Sequence, residues 1–230
     1  KKGSSMVAIK DIILQEAKKL KIPVLNEETF NKFPLLGKME QGFLMANNNI
    51  PTINYVSFGS KIGFKDYLKK AENITFPIIL KGRFGSHGKT NLVANNTSEL
   101  KEISIKYRGD SVLIQPLLKV KQWYRCIVVR DENDEYVYLG EMRHRQKKKY
   151  THINYSHLKE KLINLNGQKM STLNNICIQS AKLFKCDYCG IDVLYLEDTH
   201  TFVVSEINRT AQFKYFEKRT GVNVAKRLIL

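Results

Sequence analysis

The stretch GIDVLYLEDTHTFVVSEIN, residues 190–208, reads as two apolar strands joined by a short acidic turn. Val193 to Leu196 form one apolar run and Phe202 to Val204 another, and EDTH between them closes a hairpin. Both strands are polar where a core strand has no reason to be. Asp192 stands near the start of the first, and Glu206 and Asn208 end the second. Side chains alternate along a strand, so Glu206 and Asn208 share a face. A register that sets Asp192 across from them would bring three oxygen donors to one side of a sheet. A set with no Cys or His suits a hard cation, Mg²⁺ or Mn²⁺, whose shell is completed by water and phosphate oxygens. Spacing alone leaves open the plainer alternative of a strand end with solvated carboxylates. With no metal bound, the clustered oxygens are expected to repel one another. Removing Glu206 or Asn208 is therefore expected to stabilise the metal-free protein.

Upstream, KGRFGSHGK at 81–89 forms the tip of a hairpin whose strands are FPIIL and TNLVAN. Gly82, Gly85 and Gly88 allow a tight turn with backbone N–H groups turned to an anion, and Lys81 adds a point charge. The tip lacks the spacing of a Walker A motif, and no helix follows as in a dinucleotide fingerprint. By itself such a tip is more often just a flexible turn.

Between and around these two hairpins, helical spacing marks 6–21, a segment within 38–49, 61–73, 97–107 with a Ser or Thr cap, and about 170–185. IPVLN at 22–26 reads as a short strand, SVLIQPLLK as a strand broken at Pro116, and 124–145 as two strands around an acidic turn. EKRTGVNVAKRLIL begins a last helix. Strands and helices alternate irregularly among antiparallel hairpins, so the fold class is α+β.

Bulk properties narrow the function. The 230 residues, 43% hydrophobic, suffice for a sizeable core. No run approaches the ~18 apolar residues of a membrane span. Four cysteines make no disulfide scaffold, and a reducing cytoplasm is the expected compartment. Both ends read as trimmed. Lys and Arg outnumber Asp and Glu by 38 to 22, a net charge of +16, which favours nucleotides, nucleic acid or acidic peptides, or merely a solvated surface.

Taken in order, FPLLGKMEQGFLMANNNIPTI, FPIILKGRFGSHGKTNLV, VLIQPLL, YRCIVV, GIDVLYL, VVSEIN and FEKRTGVNVAKRLI resemble the ATP-grasp superfamily, and within it the RimK-type carboxylate–amine ligases. The resemblance implies two α+β lobes clamping ATP, with Mg²⁺, and ligation of a carboxylate to an amine through an acyl phosphate. It divides the chain into residues 1–32, the end of a preceding domain that is otherwise largely absent, 33–115, the lobe with the phosphate loop, and 116–230, the lobe with the metal site. Lys38 and Lys81 resemble the two lysines on the ATP phosphates. Gly85, Ser86 and Gly88 resemble the loop that closes over them. Gln115, Pro116 and Leu117 fall at the hinge that reads adenine through its backbone. Asp192, Glu206 and Asn208 match the family's metal ligands. Arg125 and Arg143 resemble arginines facing the phosphates or the acyl phosphate.

Three departures stand out. No acid accompanies Pro116, Tyr124 replaces the acid before Arg125, and Arg209, Thr210 and Ala211 follow Asn208 where the family often has Ser-Pro-Gly. The last of these borders the substrate, so the acceptor is expected to differ. The implied substrate is an acidic peptide or protein tail met by RHRQKKK (143–149), or a small amino acid. Nucleic acid and a homo-oligomer stay open as partners. Two other functions remain in play, a basic nucleic-acid-binding module and a nucleotide-binding ATP-grasp domain without turnover. A lone CxxC, Cys186 and Cys189, reads as a packed helix end. Trp123 and Tyr124 read as base-stacking or partly buried aromatics.

Overall fold

The structure is a computed structural model that describes residues 2–58, 74–82, 91–106, 112–144, 160–162, 165 and 167–228. The expected helix at 61–73, the loop residues Gly85, Ser86 and Gly88, and the basic residues 145–149 lie outside the described residues.

Three helices come first: α1 (Lys2–Lys19), α2 (Glu27–Lys32) and α3 (Lys38–Asn47). The four-stranded sheet follows, built from β1 (Val56–Phe58), β2 (Ile78–Gly82), β3 (Leu92–Ala94) and β4 (Val112–Pro116) in the order β1-β4-β2-β3, with α4 (Thr97–Lys106) between β3 and β4. Its pairs are antiparallel. Ile78, Leu80, Val112 and Ile114 pack with Ala94 and with Leu100 of α4 as one core. Asn96, not Ser98 or Thr97, caps α4. Its Oδ1 accepts from Glu99 N at 3.0 Å, while Glu99 reaches back to Asn95.

The chain crosses to the second sheet at 117–119. That sheet comprises β5 (Val120–Arg130), β6 (Tyr136–His144), β7 (Glu160–Leu162), β8 (Tyr188–Leu196) and β9 (Phe202–Asn208), ordered β7-β6-β5-β8-β9 and antiparallel throughout. The fold class is as the sequence implies. One face is covered by α5 (Gly167–Phe184), whose Leu173, Ile176, Cys177, Ala181 and Phe184 recur at helical spacing and meet Tyr124, Cys126, Ile191, Val193 and Val204. The opposite face carries two smaller apolar clusters. Trp123 and Leu194 pack with Ile53 at one end. Ile127, Val129 and Tyr188 pack with Phe216 and Val224 at the other.

Two local readings change. Residues 22–26 are not a strand. They lead into a turn at Asn26, in the left-handed region at φ 63°, that starts α2. The last helix is two, α6 (Lys214–Thr220) and α7 (Val224–Leu228), because Gly221 adopts φ 73° and ends the first.

Candidate active site

Between those two apolar clusters, on the face away from α5, the second sheet turns polar. Arg125 of β5 pairs in register with Asp192 of β8, and Asp192 with Glu206 of β9. Asn208 lies opposite Gly190, one step along. The register that the hairpin needed is therefore formed, and Asp192, Glu206 and Asn208 share one face. The Arg125 guanidinium forks onto Asp192, with Nε 2.5 Å from Oδ1 and Nη2 3.0 Å from Oδ2. Asn208 Nδ2 stands 3.4 Å from Asp192 Oδ2.

Asp192 is 3% exposed, and burial raises its carboxyl pKa, helped by the Glu206 charge and opposed by Arg125. The donor set of two carboxylates and an amide, without thiol or imidazole, fits a hard divalent cation. Added positive charge there would favour the ionised form that burial penalises.

Two lysines from outside this sheet add positive charge. Lys38, the first residue of α3, places Nζ 2.6 Å from Glu206 Oε2. Lys81, near the end of β2, lies within electrostatic reach of both. Burial first and the Lys38 charge second lower its pKa from the ordinary 10.5 to about 8, against the opposing pull of Glu206. Thus Lys38, Lys81, Arg125, Asp192, Glu206 and Asn208 meet, drawn from two sheets and one helix.

The repulsion expected between the oxygens is present, since the Glu206 charge raises the Asp192 pKa, but cations offset it. Each carboxylate already has a cation, Arg125 on Asp192 and Lys38 on Glu206. Removing Glu206 strips a counter-charge from two lysines.

Other expected residues stand elsewhere. Arg143 pairs in register with Tyr124 and so shares the α5 face, opposite to the metal-ligand candidates. Its buried Nε has no hydrogen-bond partner among the described residues. Gln115, Pro116 and Leu117 do lie where the chain passes from one sheet to the other. Gln115 is buried and Leu117 N–H donates to Pro77 O at 2.9 Å, so that donor is already engaged. Trp123 and Tyr124 are core residues, the latter edge-on to Phe202. All four cysteines are free and buried, and no group of three metal-ligating His, Cys, Asp or Glu side chains occurs among the described residues.

Residues with no signal in the sequence hold the site in shape. Gly190 leaves room for the chain folding over it. A Cβ there would stand 2.5 Å from Ala211 Cβ and 3.4 Å from Arg125 Cδ. Gly42 lets Tyr55 lie flat on α3, where its hydroxyl donates to Met39 O. Gln41 is buried and brackets the backbone of Ile207, donating to its C=O at 3.0 Å and accepting from its N–H at 2.7 Å. Arg209, expected on the substrate side, instead turns to α2. Its guanidinium lies 4.7 Å from the Phe30 ring centroid and donates to Phe33 O at 2.8 Å.

Comparisons with known proteins bear on the family and the fold. The family model described as a RimK-like ATP-grasp domain matches residues 37–230. Beta-citrylglutamate synthase B of Mus musculus is 26% identical over 189 residues, covering 79% of this chain and 45% of that protein. N-acetylaspartylglutamate synthase A of Homo sapiens is 25% identical over 186 residues, 78% of this chain and 44% of the relative. Coenzyme gamma-F420-2:alpha-L-glutamate ligase of Methanocaldococcus jannaschii is 26% identical, over 80% of this chain and 61% of its own length. The chain thus spans about half of these relatives. Among solved structures, the ATP-grasp ligase PsnB with its minimal precursor superposes with a TM-score of 0.65 at 17% identity, over 96% of this chain and 66% of that one. A biotin carboxylase domain from Hydrogenobacter thermophilus, in complex with MgADP, gives 0.64 at 17%, over 84% and 44%. Fold and family model point the same way: the chain belongs to the RimK-like ATP-grasp family.

Proposed function

We propose that this chain is the nucleotide-binding and catalytic part of an ATP-dependent ligase that joins a carboxylate to an amine, releasing ADP and phosphate. The observation that carries the reading is the meeting of Lys38 of α3 and Lys81 of the first sheet with Asp192, Glu206, Asn208 and Arg125 of the second. Both lysines would hold phosphate oxygens, and Lys81 would gain most, because an anion favours the charged form that burial disfavours. Arg125, held in orientation by Asp192, would set its positive charge toward the transferring phosphoryl group or the acyl phosphate. Asp192, Glu206 and Asn208 would hold Mg²⁺, which when bound supplies charge neutralisation on the phosphates. The loop with Gly85, Ser86 and Gly88 would close over them, and the Gln115–Leu117 crossing would read adenine. Arg143, on the other face, could take part only from the distal end of its side chain. Positioning and electrostatics carry the rate, and no protein nucleophile is required.

The substrate proposed is an acidic peptide or protein tail, or a glutamate-like amino acid. Support comes from the net charge of +16, from relatives named as glutamate-containing product synthases, and from a structural neighbour solved with a precursor peptide. The test is ADP release from Mg-ATP with pools of acidic and amine-bearing peptides, with products weighed by mass spectrometry. A product lighter by one water than the sum of two substrates is expected. ADP formation independent of every pool would overturn the ligase reading.

A further inference from the structure

The strand end that carries Glu206 and Asn208 lies at the edge of its sheet, since β9 is the last strand in the order and, beyond β8, meets just a single parallel bridge from Thr52 to Val204 among the described residues. An edge strand is held on one side and needs other contacts to fix its position. Here the register slips between Asp192 and Val193, placing one extra residue in β9. The bulge changes the phase of the outward backbone groups. Val204 and Ile207, three apart, both turn to the open edge. Val204 N–H donates to Pro51 O at 2.8 Å, and its carbonyl accepts from Thr52 Oγ1 at 3.0 Å. Ile207, 3% exposed, has both groups closed by the Gln41 amide, itself 4% exposed. Gln41 thus stands in for a neighbouring strand.

Two residues further, Arg209 is fixed just as closely. Its carbonyl accepts from Asn26 Nδ2 at 2.7 Å, while its guanidinium lies over Phe30 and donates to Phe33 O. The residues on either side of Asn208 are therefore tied down by side-chain contacts with the segment 26–41. Gln41 lies one turn from Lys38 on the same helix, so its bond to Ile207 also sets where Lys38 meets Glu206.

We propose that Gln41 and Arg209 are positioning residues that hold the Glu206–Asn208 strand end in the geometry needed for a metal–nucleotide. This rests on the proposed metal site. Neither side chain touches the donors themselves. Both act through the backbone of Ile207 and Arg209, and outer contacts of this kind commonly change metal affinity by about 10–100-fold.

The test uses Mn²⁺ as the probe, titrated by calorimetry into the full chain with and without a non-hydrolysable ATP analogue. The variants are Gln41→Met, close in size but unable to bond Ile207, and Arg209→Lys, which keeps charge but loses the planar fork. Ile176→Val on α5, at the opposite face, serves as the control for lost stability. Expected is Mn²⁺ affinity about tenfold weaker in both variants, with the control unchanged and, in Arg209→Lys, metal-free nucleotide affinity unchanged as well. Wild-type Mn²⁺ affinity in the variants, or equal weakening in Ile176→Val, would overturn the proposal. If Gln41→Met does not fold, Arg209→Lys decides. A wild-type chain that takes up no Mn²⁺ with nucleotide would overturn the metal site and this proposal together. Normal wild-type binding with unaffected variants overturns this proposal alone.

Discussion

Replacing Lys81 by Met should stabilise the protein while abolishing its response to ATP. In the folded chain burial and Lys38 bring the Lys81 pKa from 10.5 to about 8. The unfolded chain keeps the ordinary value. Between these values the unfolded state holds a proton that the folded state has lost, so stability rises with pH across that window. Below about pH 8 both states are protonated, and the folded state carries the full cost of a poorly solvated ammonium. A shift of this size corresponds to about 3 kcal/mol, an upper bound because the side chain is not wholly enclosed. Lys81→Met removes the ammonium and keeps the apolar stem. Urea unfolding at pH 7 should show the variant more stable by up to ~3 kcal/mol. Raising the pH through 8 to 10.5 should stabilise wild type and leave the variant flat. ATP should bind wild type with uptake of a proton near pH 8, seen as a buffer-dependent heat, and the variant should show none. Parallel stability–pH curves for the two proteins would refute the reasoning, because the Lys81 ammonium would then be as well solvated folded as unfolded.

Glu206→Ala should abolish turnover and destabilise the metal-free protein by about 1–2 kcal/mol, because Lys38 and Lys81 lose their shared counter-charge; a rise in Tm would contradict this. Gly190→Ala should cost about 1–3 kcal/mol and disturb Arg125, since its Cβ would meet Ala211 at 2.5 Å. Unchanged denaturation would mean that the loop after β9 yields easily. Changing Lys147, Lys148 and Lys149 together to Ser should raise the KM for an acidic peptide and flatten its salt dependence, while the KM for ATP holds, as kinetics across a salt series would show. RNA added as a competitor distinguishes a general polyanion surface from a peptide site.

What the sequence by itself determined is local and periodic. The polar end of VVSEIN after an apolar run, the Asp192 of GIDVLYL, and Lys81 at the end of FPIIL are deviations from strand periodicity, and deviations can be read along one chain. Alternation alone put Glu206 and Asn208 on one face, and the ordered set of segments carried the family. Tertiary structure decided the rest. Arg143 lies across from Tyr124 because register, not residue type, chooses the face, and a bulge before it in β6 shifts that register by one. Arg209 turns to Phe30 because α2 is there, a short helix that nothing in the reading of the sequence marked. The pairing of each site carboxylate with a cation joins residues 67 and 168 positions apart in the chain. Gln41 is an unremarkable amide in a helix until β9 presents an open edge beside it. Charge balance and edge closure depend on what stands a few ångströms away in space, and no spacing along a single chain encodes that distance.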